Sequence, residues 1–294
     1  MKIVSLLPST TEILFAIGAG DDVVGVTFEC DHPPEARTRR IVSNTALPHG
    51  LTPAEIDAVV KARVASGEDL YTLDEGALRD LDADLVVTQD LCAVCAVAVA
   101  NVDDALAHLG CRAEVLTIDP MTLADVIESI ATLGDATGRR ANADALVASS
   151  RARLAAVRAA VAGRAERRVT VLEWTDPLFS AGHWVPDLVT AAGGIASLGT
   201  AGARSEQVTL DDVHASAPDV IVVAPCGYRL DGATALAKEL MATTALPDAE
   251  VWAVDADALF VRPGPRVVDG VETLAAIVHP GAVPLPSGAA TRVL

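Results

Sequence analysis

The strongest constraint on the fold is a pattern that occurs twice in the chain. Residues 81–87 and residues 215–223 each resemble the end of a helix, a turn with an aspartate, and a buried apolar strand. The aspartates are Asp84 and Asp219, and each directly precedes its strand. Short apolar runs bounded by polar turns are typical of strands buried on both faces of a parallel sheet. The repetition predicts two lobes built on one plan.

Strands and helices alternate along most of the chain. Near the start, residues 3–7 form an apolar run that ends at Pro8, and residues 9–12 supply N-cap chemistry for a helix. Residues 98–109 are also expected to be helical. Strands that alternate with helices imply parallel sheets with right-handed crossovers. The sequence therefore predicts an α/β fold of two Rossmann-like lobes with mainly parallel sheets.

The expected domains are separated by a helical middle segment. Residues 1–121 form the N-terminal α/β lobe, residues 122–166 a helical connector, and residues 167–294 the C-terminal α/β lobe. The connector is expected to contain one long helix that joins the lobes, because no Gly/Ser-rich or Pro-rich linker is present. The tail after Pro280 is rich in Pro, Gly and Ser, which predicts irregular structure.

The charge balance excludes two classes of partner. The 294 residues carry a formal net charge of −18, whereas nucleic acids and anionic membrane surfaces are bound through clustered Lys and Arg. No apolar run reaches the roughly 18 residues that would span a bilayer, so no membrane insertion is expected. No secretory leader precedes the first strand. This favours a cytoplasmic protein, or a periplasmic or extracellular one if a leader was removed.

Four cysteines follow the ends of expected strands. Cys92 and Cys226 lie at similar points of the repeated pattern, Cys95 follows Cys92 closely, and Cys30 lies in a polar loop of the first lobe. Open α/β sheets bind ligands beyond the carboxyl ends of their strands. Across a cleft between the lobes, the four thiolates could hold zinc or an iron–sulfur cluster. The alternative is that they are small buried side chains that fill turns.

Aromatic residues make up only 3% of the chain, and most of them fall in the same strand-end loops. This clustering favours a large, flat, partly apolar ligand. The alternative is that the two tryptophans only plug a loop of the second lobe. The five side chains are Phe28, Trp174, Phe179, Trp184 and Tyr228.

Charged and imidazole side chains accompany the aromatic residues. No two carboxylates have a spacing that indicates acid–base catalysis, so hydrogen bonds to ligand amides or simple solvation are expected. His32, His49 and His183 lack metal-ligand spacing, and a lone histidine is more often structural. No nucleophile elbow, Walker loop or nucleotide fingerprint is present. The sequence therefore predicts a protein that is not an enzyme.

Several segments resemble one family. Residues 4–14, 24–26, 30–34 and 264–270 are similar to the opening and closing segments of solute-binding proteins of the iron-siderophore and cobalamin class. The resemblance covers nearly the whole chain. It implies two α/β lobes joined by a single long helix and a ligand held in the cleft between them. It also implies docking of the loaded protein on the membrane subunits of an ABC importer.

Two hypotheses follow from these observations. The leading one is a non-catalytic protein that binds cobalamin, or a related corrinoid or metal chelate, in the interlobe cleft. The second is a cytoplasmic metalloprotein whose cysteines hold zinc or an iron–sulfur cluster for storage, sensing or redox chemistry. A thioredoxin-like oxidoreductase is a third, weaker alternative.

The residues that belong to these hypotheses can be named. The expected ligand contacts are Ser9, Thr10, Phe28, Glu29, Asp31, Asp90, Glu173, Trp174, Phe179, Trp184, Tyr228 and Arg262. The expected metal ligands are Cys30, Cys92, Cys95 and Cys226.

Overall fold

The computed structural model describes residues 1–48, 50–68, 70–73, 76, 78, 80–89 and 113–294. Its contacts divide the chain into two compact units. The N-terminal unit comprises Met1–Asp119 and Ile127–Val147, and the C-terminal unit comprises Pro120–Val126 and Ala148–Leu294. The expected helix at 98–109 lies outside the described residues. The α/β class with two lobes is confirmed.

The N-terminal unit is organised around a five-stranded parallel sheet. The strands described in this unit, which include a separate pair, are β1 (Ile3–Ser5), β2 (Val23–Val26), β3 (Arg40–Ile41), β4 (Ser43–Thr45), β5 (Tyr71–Leu73), β6 (Leu85–Thr88) and β7 (Glu114–Thr117). The sheet order is β3-β2-β1-β6-β7, and β4 pairs separately with β5 in antiparallel fashion. Helices α1 (Pro8–Ala16) and α2 (Pro53–Ser66) belong to this unit. As expected, a strand and a helix open the chain. The helix begins at Pro8 with Leu7 as its N-cap and no side-chain cap, so the predicted capping by residues 9–12 is wrong.

Two helices occupy the middle of the chain, α3 (Leu123–Ala136) and α4 (Arg140–Val161). The second has 22 residues and is the long helix that the sequence predicts. The division between the units falls inside both helices. A separate connector at 122–166 stays a prediction.

The C-terminal unit is organised around a mixed sheet. Its strands are β8 (Arg168–Thr175), β9 (Leu178–Ser180), β10 (Ile195–Ala196), β11 (Glu206–Gln207), β12 (Val220–Val223), β13 (Glu250–Val254) and β14 (Ala290–Arg292). Its helices are α5 (Val185–Ala191), α6 (Leu210–Ala215), α7 (Leu230–Thr243), α8 (Ala256–Leu259) and α9 (Val267–Val278). The order is β11-β9-β8-β12-β13-β14, with β10 also paired to β8. The central strands β8, β12 and β13 are parallel.

The aspartate of the repeated pattern accepts the same kind of hydrogen bond in both units. The Asp84 carboxylate accepts the backbone N–H of Lys2 at 2.7 Å, and the Asp219 carboxylate accepts that of Arg168 at 2.7 Å. Each aspartate therefore ties the start of one central strand to the start of its parallel neighbour. The prediction of two lobes on one plan is confirmed at this level.

The prediction of an irregular tail holds for residues 281–289 but misses the strand that follows them. Strand β14 pairs antiparallel with β13, and Thr291 lies opposite Ala253. Without this strand, the outer edge of β13 would expose a row of unpaired backbone groups. The tail therefore covers the sheet edge, which its composition does not reveal.

Helices α3 and α4 approach closely within the N-terminal unit. A Cβ atom on Gly134 would lie 2.3 Å from the Cβ of Ala143. We expect Gly134→Ala to lower the free energy of unfolding by about 1–3 kcal/mol, the usual cost of overpacking a tight contact. Chemical denaturation followed by far-UV circular dichroism measures the change. The double variant Gly134→Ala/Ala143→Gly removes the opposing methyl group and should recover part of the loss; an unchanged midpoint for the single variant would contradict this packing.

Candidate functional site

Two aromatic side chains meet at the carboxyl ends of neighbouring parallel strands in the C-terminal unit. Trp174 lies near the end of β8, and Tyr228 lies in the turn that follows β12. Their ring centroids are 6.0 Å apart with an interplanar angle of 60°, which is an edge-to-face contact. The Trp174 indole N–H donates to the carbonyl of Asp176 at 3.1 Å. Burial raises the pKa of the Tyr228 phenol, so this ring is neutral at neutral pH.

A third aromatic residue stands beside this pair. Phe179 on β9 is the antiparallel partner of Trp174, and the register is irregular between Leu172 and Trp174. Directly opposed residues of antiparallel strands place their side chains on the same face of the sheet. Trp174, Phe179 and Tyr228 are all half-buried. We call these three residues the aromatic platform.

Two of the predicted polar ligand contacts lie in the same unit as the platform. Glu173 is half-buried, and its carbonyl accepts the backbone N–H of Cys226 at 3.1 Å. Arg262 is 9% exposed and donates to both carboxylate oxygens of Asp257, at 3.1 and 2.9 Å. The structure thus places Glu173 and Arg262 in the C-terminal unit with the platform.

Trp184 has a different environment from the platform. It is 6% exposed, and its indole N–H donates to the carbonyl of Phe260 at 2.6 Å. Phe260 is fully buried. The polar edge of Trp184 is therefore satisfied within the core of this unit.

A second aromatic pair lies in the N-terminal unit. The rings of Phe28 and Tyr71 stack with centroids 6.1 Å apart and an interplanar angle of 29°. The Tyr71 hydroxyl donates to the Glu29 carboxylate at 3.2 Å. Asp31 forms an ion pair with Arg37 at 3.7 Å. Sequence reasoning missed Tyr71; the scarcity of aromatic residues was the signal that could have found it.

Hydroxyl groups surround Cys30 in the same unit. Its Sγ lies 3.1 Å from the Oγ1 atoms of both Thr11 and Thr27, and Cys30 is 2% exposed. Thr10 joins this network through Ser5, whose Oγ is 2.7 Å from Thr10 Oγ1. Ser9 is buried as well. These side chains line the start of α1 and stabilise the turn after β1.

The cysteines do not form a metal site in the described part of the chain. Cys30 is buried and Cys226 is exposed. Cys92 and Cys95, together with Asp90, lie outside the described residues. Among the residues that are described, no group of three or more His, Cys, Asp or Glu side chains could hold a metal ion. The zinc and iron–sulfur hypothesis therefore gains no support.

His183 combines an unusual backbone conformation with a buried ring nitrogen. Its φ of +51° lies in the left-handed region, which is uncommon for residues other than glycine. Its Nε2 atom is buried and finds no hydrogen-bond partner among the described residues. Burial, and secondarily the positive charge of Arg204, lower the pKa of His183 from its ordinary value of 6.5. The imidazole is therefore neutral in the folded protein at neutral pH.

This lowered pKa predicts a loss of stability in acid. Below pH 6.5, the ordinary histidine pKa, the unfolded chain binds a proton that folded His183 resists, so stability falls as the pH drops toward the lower folded pKa. As the pH falls from about 7 to about 5, we expect the melting temperature of the wild type to fall more than that of His183→Asn. Asn tolerates the left-handed conformation and does not titrate. Parallel melting curves for the two proteins would contradict the assignment.

Comparisons with known proteins agree with this arrangement of strands and helices. A family model described as "Periplasmic binding protein" matches residues 3–249. An ABC transporter substrate-binding lipoprotein of Bacillus subtilis, itself uncharacterised, is 28% identical over 95% of this chain and 80% of its own length. The vitamin B12-binding protein of Vibrio cholerae is 25% identical over 92% of this chain and 86% of its own length. A cobalamin-binding protein of Halobacterium salinarum is 28% identical over 95% of this chain and 69% of its own length.

Solved structures share the fold. A periplasmic heme-binding protein from Pseudomonas aeruginosa superposes with a TM-score of 0.73 at 20% identity, covering 99% of this chain and 97% of that one. The periplasmic vitamin B12-binding protein of Vibrio cholerae gives a TM-score of 0.60 at 22% identity, covering 94% of this chain and 96% of that one.

In the described part of the chain, no helix has the length and apolar character needed to cross a membrane.

These findings decide the general class of the protein. The relatives are binding proteins and not enzymes, so the prediction of a non-catalytic solute-binding protein is confirmed. Relatives named as lipoprotein or periplasmic proteins give the cytoplasmic expectation no support. The chain belongs to the periplasmic binding protein family.

Proposed function

We propose that this protein binds cobalamin or a related corrinoid, a large and flat metal chelate, without altering it chemically. The observation that carries the proposal is the aromatic platform, in which Trp174 and Tyr228 meet edge to face at the carboxyl ends of two central strands. The carboxyl ends of such strands are where open α/β sheets bind ligands. Relatives named as vitamin B12-binding and cobalamin-binding proteins, at 25% and 28% identity, support this ligand class.

The chemistry of the platform suits a flat macrocycle. Burying apolar surface contributes about 25 cal/mol per Å², and aromatic side chains lose little conformational freedom when they bind. The Tyr228 phenol is neutral, so covering it with a ligand buries no charge. The ring faces therefore provide affinity, while neighbouring polar groups provide orientation.

Polar residues next to the platform are the proposed orienting groups. Glu173 and Arg262 can form hydrogen bonds with amide groups at the rim of a corrinoid. In the N-terminal unit, Phe28 and Glu29 form a second aromatic and acidic surface together with Tyr71. We propose that these residues also contact the ligand.

We also propose that the loaded protein delivers its ligand to the membrane subunits of an ABC importer outside the cytoplasm. The name of the Bacillus subtilis relative, an ABC transporter substrate-binding lipoprotein, supports this role. The net charge of −18 favours a basic partner surface.

Isothermal titration calorimetry with a panel of ligands tests the proposed function. Cyanocobalamin and dicyanocobinamide are expected to bind, and each should raise the melting temperature, because a ligand at 100 times its Kd adds about 2.7 kcal/mol of stability. Haemin and zinc chloride serve as comparison ligands. If haemin binds and neither corrinoid does, the ligand would be a porphyrin and not a corrinoid. The absence of both heat and a thermal shift with either corrinoid would refute the proposal.

A further inference from the structure

Asp257 contacts two arginines near the aromatic platform. It lies on α8, just after β13. Its two carboxylate oxygens accept hydrogen bonds from Nε and Nη2 of Arg262, at 3.1 and 2.9 Å. Its Oδ2 also lies 3.2 Å from Nε of Arg229. The side chains of Asp257 and Arg262 are 14% and 10% exposed, so their charge-assisted bonds are largely shielded from water, whereas Arg229 is 51% exposed.

The backbone of Asp257 contacts the platform directly. Its N–H donates to the carbonyl of Tyr228 at 3.0 Å. The neighbouring residue, Arg229, is the one held by the Asp257 carboxylate. One residue therefore fixes two consecutive positions of the turn after β12, one through its backbone and the other through its side chain.

The rest of the turn leaves the Tyr228 ring little freedom. The Tyr228 N–H donates to the carbonyl of Pro225 at 3.1 Å. A Cβ atom on Gly232 would lie 2.8 Å from Cδ1 of Tyr228, so the ring packs directly on the first turn of α7. Because Arg229 is the next residue of the chain, we expect a shift of its backbone to displace the Tyr228 ring, which forms the edge-to-face contact with Trp174.

Asp255, another acidic group near this turn, does not duplicate the role of Asp257. The Asp255 carboxylate lies 3.9 Å from Nη1 of Arg229 and accepts the N–H of Ala258, as the N-cap of α8. Arg266 also acts on Asp255 electrostatically. The carboxylate of Asp255 thus caps the helix, whereas that of Asp257 binds Arg229 at hydrogen-bond distance.

We propose that Asp257 is a positioning residue for ligand binding, which holds Arg229 and Tyr228 so that the aromatic platform has its binding geometry before the ligand arrives. The proposal rests on the proposed function for its ligand. Preorganisation of this kind raises affinity because the turn does not have to become ordered on binding.

A double-mutant cycle tests the proposal with cyanocobalamin as the probe. Asp257→Asn keeps the size and the backbone N–H but removes the charge, and it should weaken binding about tenfold. In a Tyr228→Ala background the same substitution should weaken binding less than in the wild-type background, because only the part of its effect that acts through Arg262 remains. Asp269→Asn, which removes another arginine-paired carboxylate of this unit, is the control and should leave affinity unchanged. Equal losses in both backgrounds, or no loss in the wild-type background, would overturn the proposal.

The ligand-free protein provides an independent readout. Near-UV circular dichroism reports the coupling of Trp174 with Tyr228, and Asp257→Asn should reduce the same band that Tyr228→Ala reduces. If Asp257→Asn does not fold, Arg229→Gln can replace it. This substitution removes the ion pair between Arg229 and Asp257 but keeps the Tyr228 ring, so it should reduce that band less than Tyr228→Ala does. An unchanged band in every folded variant refutes positioning by Asp257. Failure of the wild type to bind any corrinoid refutes the proposed function instead, so the two failures can be told apart.

Discussion

Replacing Trp184 with alanine is expected to lower the free energy of unfolding of the C-terminal unit by about 3–5 kcal/mol. The indole is 6% exposed, so its removal leaves a cavity that the surrounding core fills only in part. The carbonyl of Phe260 also loses the N–H that it accepts at 2.6 Å. Urea denaturation followed by far-UV circular dichroism measures the loss.

Trp184→Phe separates the two causes of this effect. Phenylalanine keeps most of the apolar volume but removes the donor to Phe260, which should cost about 1–3 kcal/mol. The sequence alone predicts Trp184 as a ligand contact, which would give a different result. Reduced corrinoid affinity with unchanged unfolding of Trp184→Ala would contradict the structural assignment.

Truncating the aromatic platform is expected to give the largest loss of affinity. Trp174→Ala and Tyr228→Ala should each weaken cyanocobalamin binding at least tenfold, a loss of about 1.4 kcal/mol or more, because central aromatic residues carry much of the energy of a binding surface. Both side chains are half-buried and lie at strand ends, so the free energy of unfolding should change less than for Trp184→Ala. Isothermal titration calorimetry measures the affinity.

Two variants serve as controls for the platform. Tyr228→Phe keeps the ring and should bind almost as well as the wild type, because the proposed contact uses the face of the ring. Trp252→Phe changes a tryptophan on β13 whose N–H is bonded to Glu250 at 3.2 Å, and it should leave affinity unchanged. Full affinity in Trp174→Ala and Tyr228→Ala would show that the ligand binds elsewhere.

The fold could be predicted largely because buried parallel strands leave a strong signal in the sequence. The repeat around Asp84 and Asp219 marks equivalent strands, and the structure gives both carboxylates the same bond to a neighbouring strand at 2.7 Å. The edge strand β14 could not be predicted in this way. A short strand at the end of a Pro- and Gly-rich tail forms only because β13 offers an unpaired edge.

The candidate site was harder to predict than the fold. The sequence places Trp174 and Trp184 in similar loops, but it does not show that the N–H of Trp184 meets a carbonyl 76 residues later. Cys30 likewise fits the pattern of a metal ligand, but the sequence does not show that its Sγ lies 3.1 Å from two threonine hydroxyls. Which side chains face a ligand depends on tertiary contacts that local patterns do not encode.

A crystal structure of the protein with cyanocobalamin would show directly whether the aromatic platform binds the ligand. We expect a corrin ring in van der Waals contact, within about 4 Å, with the rings of Trp174 and Tyr228. We also expect Tyr228 in the position that it has in the ligand-free protein, with its carbonyl still bonded to Asp257. A corrin ring that contacts neither Trp174 nor Tyr228 would show that the platform is not the binding site.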